Sequence, residues 1–338
     1  MAVSHLMKFI LRRPSMFFCS IHLTSLCSQH CLQCCIPSQS DGSFIDPNDF
    51  QTIASKLKSY GTRVLNLTGG EPTLHPELEE IFKIAQATKL RGVNLLTNLY
   101  YPQDRQELVI DLATRYGVSI HTSYDGIGET ADILRGAKDV QETVERGMQM
   151  INSLRAKGEY KYKPTATVVL SALNIDQLPQ IIQRLEELDW NMNIDLYRWG
   201  SSNYRESDRL KVQDPQKIEW AIQQIRQVKA LRTPLWYYDG VMKHYAGKQA
   251  KQCPYLISPT FGSKFFIREN GDFYTCMSNA VGNLLKDDIN DLFTGNQWQD
   301  QRRQFEKCDG CWNNCYTPSS RALSYLHAPT IRQYLLRR

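Results

Sequence analysis

Residues 17–34 read FFCSIHLTSLCSQHCLQC. The first seven, Phe17 to Leu23, form a short apolar run of the kind that makes a buried strand. A loop with three cysteines, Cys27, Cys31 and Cys34, follows at once in the spacing C-x3-C-x2-C. Three thiolates on one loop can bind three irons of a four-iron cube and leave the fourth iron open to another ligand. A closed tetrahedral zinc site needs a fourth protein ligand, which His30 or Cys35 would have to supply.

The same alternation of apolar run and helical stretch continues downstream. Strands are predicted at Phe17 to Leu23, Val64 to Thr68, Val93 to Leu96, Val118 to Thr122, Ala166 to Leu170 and Ile194 to Tyr197. Helices are predicted near 47–60, 76–89, 104–116, 137–157, 175–188 and 215–231. Six strand-then-helix units in strict order require parallel strands with crossover helices, so the class is α/β, either a barrel or an open doubly wound sheet. In both, chemistry gathers at the carboxyl ends of the strands. Past residue 235 the sequence turns aromatic and rich in Gly and Pro. Short strands at Lys264 to Arg268 and Phe273 to Cys276 flank the turn Glu269-Asn270-Gly271-Asp272, and a helix follows near 287–306. The expected organisation is a core over 15–235, a small β-hairpin and helix domain over 245–320, and a tail over 321–338.

Composition narrows the function. The net charge of +5 arises from 40 basic and 35 acidic residues spread along the 338-residue chain, without the basic stripe of a nucleic-acid binder. No apolar run reaches the roughly 18 residues of a membrane span. Arg12, Arg13 and Pro14 break the apolar pieces at the N-terminus, leaving no signal-peptide core, so a cytoplasmic protein is expected. In that compartment ten cysteines read as metal ligands rather than disulfides.

Each later strand ends in a motif. The second closes on Thr68-Gly69-Gly70-Glu71-Pro72, where paired glycines let backbone approach a ligand and Glu71 can accept from an ammonium group. The third closes on Leu96-Thr97-Asn98 and the fifth on Ser171-Ala172-Leu173-Asn174, both of which also read as helix caps. The fourth closes on Ser123-Tyr124-Asp125-Gly126, followed by Ile133-Leu134-Arg135-Gly136. The fork of Arg135 suits a carboxylate, although the residue reads equally as one on a helix surface. On the sixth, Asp195, Tyr197, Arg198 and Trp199 are candidate substrate contacts. A second cysteine group comprises Cys253, Gly271-x4-Cys276, and Cys308-Asp-Gly-Cys311-Trp-Asn-Asn-Cys315, with Val281-Gly282-Asn283-Leu284 in between. It fits one four-iron cluster with a spare thiol, or a zinc ribbon.

Taken together, these motifs resemble those of the radical S-adenosylmethionine (radical SAM) enzymes, with a C-terminal extension similar to SPASM and Twitch domains. The resemblance covers about residues 17–316. It implies a partial (β/α)6 TIM-like barrel in which Cys27, Cys31 and Cys34 hold a [4Fe-4S] cluster whose open iron chelates S-adenosylmethionine. Gly69, Gly70, Glu71, Pro72, Asn98, Ser123, Arg135 and Asn174 fall at cofactor-contacting positions. Cys253, Cys276, Cys308, Cys311 and Cys315 fall at positions of a second, auxiliary [4Fe-4S] cluster. A reducing partner such as flavodoxin or ferredoxin would feed one electron to the first cluster. Cleavage of the carbon–sulfur bond then yields a 5′-deoxyadenosyl radical, and the protein supplies position and electrostatics.

The sequence departs from the family pattern in two places. Ser28 stands where Asn often follows the first cysteine, and Gln33 where an aromatic often precedes the third. Cys19 and Cys35 match nothing in the pattern and are read as buried thiols. Met277 stands where sulfatase maturases carry an aspartate base, which disfavours formylglycine formation. About 16 residues precede the first strand, too few there for a leader-binding domain. The expected reaction is an oxidoreductase-type hydrogen abstraction from a polar small molecule, such as a sugar, alcohol or lipid-pathway compound. The alternative substrate is a peptide side chain, as in a peptide maturase. A non-catalytic iron-sulfur or zinc-binding interaction module is the competing class.

Overall fold

All six predicted strands form, and they pair side by side in chain order. The computed structural model describes residues 16–197, 205–245, 265–275 and 279–307. The strands are β1 (Phe18–Thr24), β2 (Val64–Gly69), β3 (Gly92–Leu96), β4 (Ser119–Ser123), β5 (Thr165–Leu170) and β6 (Asn191–Leu196). Every neighbouring pair among them is parallel. Between them run α1 (Pro47–Tyr60), α2 (Leu78–Ala87), α3 (Gln103–Tyr116), α4 (Glu129–Arg135), α5 (Val140–Ala156) and α6 (Leu178–Glu187), then α7 (Pro215–Ile225) and α8 (Leu235–Tyr245).

Local chemistry sets the helix ends. Helix α1 starts where Asp46 accepts from the Asn48 amide and Pro47 takes the first turn, and it stops at Gly61 in the left-handed region. The structure adds α4 and α8 to the predicted set. Seven residues of α4 are too few for a helical period to show in sequence. The helix expected from 287 begins only at Asn296, as α9 (Asn296–Lys307), because a 3-10 turn over Asp291–Phe293 and Gly295 come first.

The two faces of the sheet differ in character. Toward the helices point Val93, Leu95, Ile120, Val168, Met192, Ile194 and Leu196, all buried in one continuous core. On the opposite, inner face stand Asn94, Ser119, His121, Ser123, Thr167, Asn193 and Asp195, all half-exposed. Barrel interiors are normally filled by branched apolar side chains, so a polar, accessible inner face is built to hold something. At its base the Asn94 amide donates to Asn66 Oδ1 at 2.8 Å and the Asn66 amide donates to Ser20 Oγ at 3.3 Å, linking β3, β2 and β1.

The predicted hairpin forms, and it extends the same sheet. Strand β7 (Phe265–Ile267) pairs in parallel with β1, β8 (Asp272–Tyr274) antiparallel with β7, and β9 (Gly282–Asn283) antiparallel with β8. Phe265 stacks on Phe273 at 5.0 Å, and Phe293 joins Tyr60 of α1 to this aromatic group at 5.5 Å. Lys56 of α1 donates to the carbonyls of Leu284 at 2.7 Å and Asp287 at 3.0 Å. The described residues from 265 to 307 therefore share their core with the barrel. Cys19 is buried as read, its thiol donating to the Phe265 carbonyl at 3.6 Å, whereas Cys35 is half-exposed. Among the described residues no helix is long and apolar enough to cross a membrane.

Candidate cofactor site at the strand ends

The cysteine loop is seated by two of the motifs. From the second strand, the Gly70 amide donates to the Thr24 carbonyl at 2.9 Å and the Glu71 amide to the Leu26 carbonyl at 2.7 Å. From the α4 end, the carbonyls of Arg135 and Leu134 accept from His30 at 3.2 Å and Leu32 at 3.0 Å. Glycine is required at both contacts. A Cβ on Gly70 would lie 1.9 Å from the Leu26 carbonyl oxygen, and one on Gly136, at φ +61°, 2.6 Å from that of His30. The paired glycines thus bring the cysteine loop itself close, in addition to anything bound above it.

Two of the three thiols have raised pKa values. Burial pushes Cys27 up to about 12, opposed by the Gln29 amide and reinforced by Glu71, Cys31 and Cys34. Burial pushes Cys34 up to about 11, opposed by the Ile36 amide and reinforced by Cys31 and Cys35. Arg135 Nη1 lies 3.7 Å from Cys31 Sγ. Each sulfur therefore has one N–H donor, yet Cys27 and Cys34 stay protonated near neutral pH until a metal displaces the proton. Two buried polar atoms of the same loop, Gln29 Nε2 and Gln33 Oε1, have no partner among the described residues. Such orphans fit a loop built around a polar group that is not part of the chain. Among the described residues no three His, Cys, Asp or Glu side chains converge as a single-ion site needs, whereas thiolates that serve separate irons need not converge.

The other expected cofactor residues are placed as follows. Glu71 is buried; its Oε1 accepts from the Thr73 amide, Thr73 Oγ1 and Thr97 Oγ1, and its Oε2 from the Asn98 amide at 2.7 Å. Burial raises its pKa, and these donors oppose the rise. Pro72 opens the turn that carries Thr73. Asn98 Nδ2 donates to Ser28 Oγ at 3.1 Å, so the Ser28 departure is matched by the third strand. Ser123 ends β4 on the inner face. Arg135 is 9% exposed rather than on a helix surface, and it pairs with Asp125 at 2.5 Å. Asn174 is fully buried; its Nδ2 donates to the carbonyls of Asp125 and Val169, and its Oδ1 accepts from the Ser171 amide at 2.6 Å.

Asp125 is the residue whose role the sequence did not disclose. It takes Arg135, the Gln33 amide at 3.1 Å and the Val169 amide at 2.8 Å, and so ties the fourth and fifth strand ends to the cysteine loop. Its presence in the Ser-x-Asp-Gly motif was the available signal. On the sixth strand, Tyr197 is buried and donates to the Arg205 carbonyl, while Asp195 accepts from Tyr237 at 2.7 Å. Arg198, Trp199, Met277 and all five cysteines of the second group lie outside the described residues. Thr275 Oγ1 donates to Gln301 Oε1 at 2.7 Å, which joins the strand end before Cys276 to α9, the helix before Cys308.

Residues 21–185 match the Radical SAM superfamily. The chain carries a radical SAM domain. Such a domain implies a [4Fe-4S] cluster and S-adenosylmethionine, and members of the superfamily are enzymes. Among curated relatives, the probable GTP 3′,8-cyclase of Sulfolobus acidocaldarius is 25% identical over 170 residues, 47% of this chain and 53% of that protein. The PqqA peptide cyclase of Bradyrhizobium diazoefficiens is 26% identical over 205 residues, 60% of this chain and 47% of that protein. The chain thus spans about half the length of the curated relatives it matches. Streptococcus suis SuiB, solved bound to its precursor peptide SuiA, superposes with a TM-score of 0.65 at 15% identity over 90% of this chain and 71% of that one. That likeness shows the fold: the parallel sheet is the radical SAM domain's barrel.

Proposed function

We propose that this protein holds a [4Fe-4S] cluster on Cys27, Cys31 and Cys34 and acts with S-adenosylmethionine to take a hydrogen atom from a polar substrate at the inner face of the sheet. The reading rests on one loop of three thiols, each with its own N–H donor, at the carboxyl end of β1. A cluster bound there would supply the electron for reductive cleavage of S-adenosylmethionine to methionine and a 5′-deoxyadenosyl radical. The chain's own part is placement: Gly70 and Gly136 seat the loop, and Asp125 orients Arg135 beneath Cys31. Asn98 and Ser123, at neighbouring strand ends, are assigned to the cofactor's polar groups.

The substrate class favoured is a peptide side chain. Similarity to a peptide cyclase supports it, as does the fold shared with a protein solved with a bound peptide. A polar small molecule is the second reading, favoured by the hydrogen-bonding inner face from Asn94 to Asp195 and by similarity to a GTP cyclase. The five later cysteines are assigned to an auxiliary [4Fe-4S] cluster with one thiol spare, and a flavodoxin or ferredoxin to delivery of the electron, in the cytoplasm. Incubation of the full chain with dithionite and S-adenosylmethionine without oxygen should release 5′-deoxyadenosine, and a Cys31→Ala variant should not. Equal yields from the two would refute the assignment. A mass change in a short peptide encoded beside the gene, against none in sugars and alcohols, decides between the substrates.

A further inference from the structure

The side chain of Gln29 sits 1% exposed inside the cysteine loop, with its two ends in different states. Its Oε1 accepts a long hydrogen bond from Cys31 Sγ at 3.9 Å, while its Nε2 has no partner among the described residues. This arrangement suits a neutral thiol only. As a metal ligand Cys31 is a thiolate with no proton to give, and a carboxamide oxygen facing it is repelled. A half-turn of the planar amide exchanges oxygen for nitrogen at almost no steric cost, since the two ends have nearly the same shape. That turn places the orphan N–H on the sulfur. Arg135 Nη1 reaches the same sulfur at 3.7 Å, with much of its charge taken up by Asp125 at 2.5 Å.

We infer that Gln29 is a positioning residue which, through Cys31 and together with Arg135, raises the reduction potential of the cluster. The inference rests on the reading that this loop holds a [4Fe-4S] cluster. Reduction adds one electron from an external low-potential donor and breaks no bond in the protein. Donors to the cluster sulfurs favour that more negative form. Cys27 and Cys34 have a backbone amide each, whereas Cys31 gains two side-chain donors and becomes the sulfur on which the chain acts most strongly.

The test is an EPR-monitored dithionite titration of the full-length protein, reconstituted without oxygen, beside Gln29→Met and Gln29→Glu. Met keeps the length and loses the donor; Glu keeps the shape and, when ionised, offers only acceptors. In Gln29→Met the one-electron equilibrium should shift about tenfold toward the oxidised form, a fall of about 59 mV, and Gln29→Glu should fall further. Wild-type potentials in both variants, at wild-type iron content, overturn the inference. Loss of iron from both with native circular dichroism also overturns it, because a residue that only adjusts the potential is not needed for assembly. If the wild-type chain itself assembles no cluster, the underlying reading of the loop fails instead.

Discussion

Arg135 and Asp125 face each other at 2.5 Å beneath Cys31, with side chains 10% and 1% exposed. Removing one partner of such a pair leaves an uncompensated buried charge. Asp125→Ala should therefore lower unfolding free energy by about 3–5 kcal/mol, and it also strands the Val169 amide and Gln33. Denaturant unfolding checks this; a loss under about 1 kcal/mol, the range of exposed pairs, would mean that the pair is solvated.

Gly70→Ala should unseat the cysteine loop. Its methyl would sit 1.9 Å from the Leu26 carbonyl, so backbone must move. Iron bound after reconstitution should drop by about half, the share of one cluster of two. Gly92→Ala, whose methyl meets only the Val64 methyls at 3.8 Å and beyond, should keep wild-type iron. Equal iron in the two variants would contradict the seating role.

Acid should destabilise the protein before its carboxylates titrate. Burial on the inner face, then the charge of Arg268, hold His22 down to about 4, and burial holds His75 below its ordinary value. A base with a depressed folded pKa binds fewer protons folded than unfolded. Its stabilisation is whole above the unfolded value of about 6.5 and is lost as pH falls from there toward 4. Melting temperature should fall between pH 6.5 and 5, and His22→Gln should flatten the slope by up to about 1.4 kcal/mol per pH unit. An unchanged slope in that variant would remove His22 as its source.

Metal analysis tests the second cysteine group. Two [4Fe-4S] clusters give about eight irons per chain. About four irons with one zinc would replace the auxiliary cluster by a zinc ribbon.

Much of this architecture is legible in sequence because burial leaves a period. Val93, Leu95, Ile120, Met192 and Ile194 face the core at every second position, and that pattern locates the strands along the chain. Residue types at the strand ends were legible too, but their partners were not. Glu71 and Asn174 read as groups that face a cofactor, and each is held by donors or acceptors of the chain itself. The Asn174 to Asp125 bond spans 49 positions, a separation that no local pattern encodes. Gln29 leaves no trace in composition or spacing, since its importance comes from the burial of an amide. The pairing of β7 with β1 was hidden for the same reason as Asp125: it is a contact between distant segments with ordinary strand composition.

That pairing bears on how the protein is made. Cys19 lies opposite Phe265, 246 positions later, so the strand that carries the cysteine loop leaves the ribosome well before its second neighbour. In the interval β1 has a bare hydrogen-bonding edge, the kind that recruits foreign strands. A chain ending at residue 245 should scatter light and sediment as aggregate, where the full chain stays dispersed. Synthesis of the chain through β7 then protects β1 from self-association.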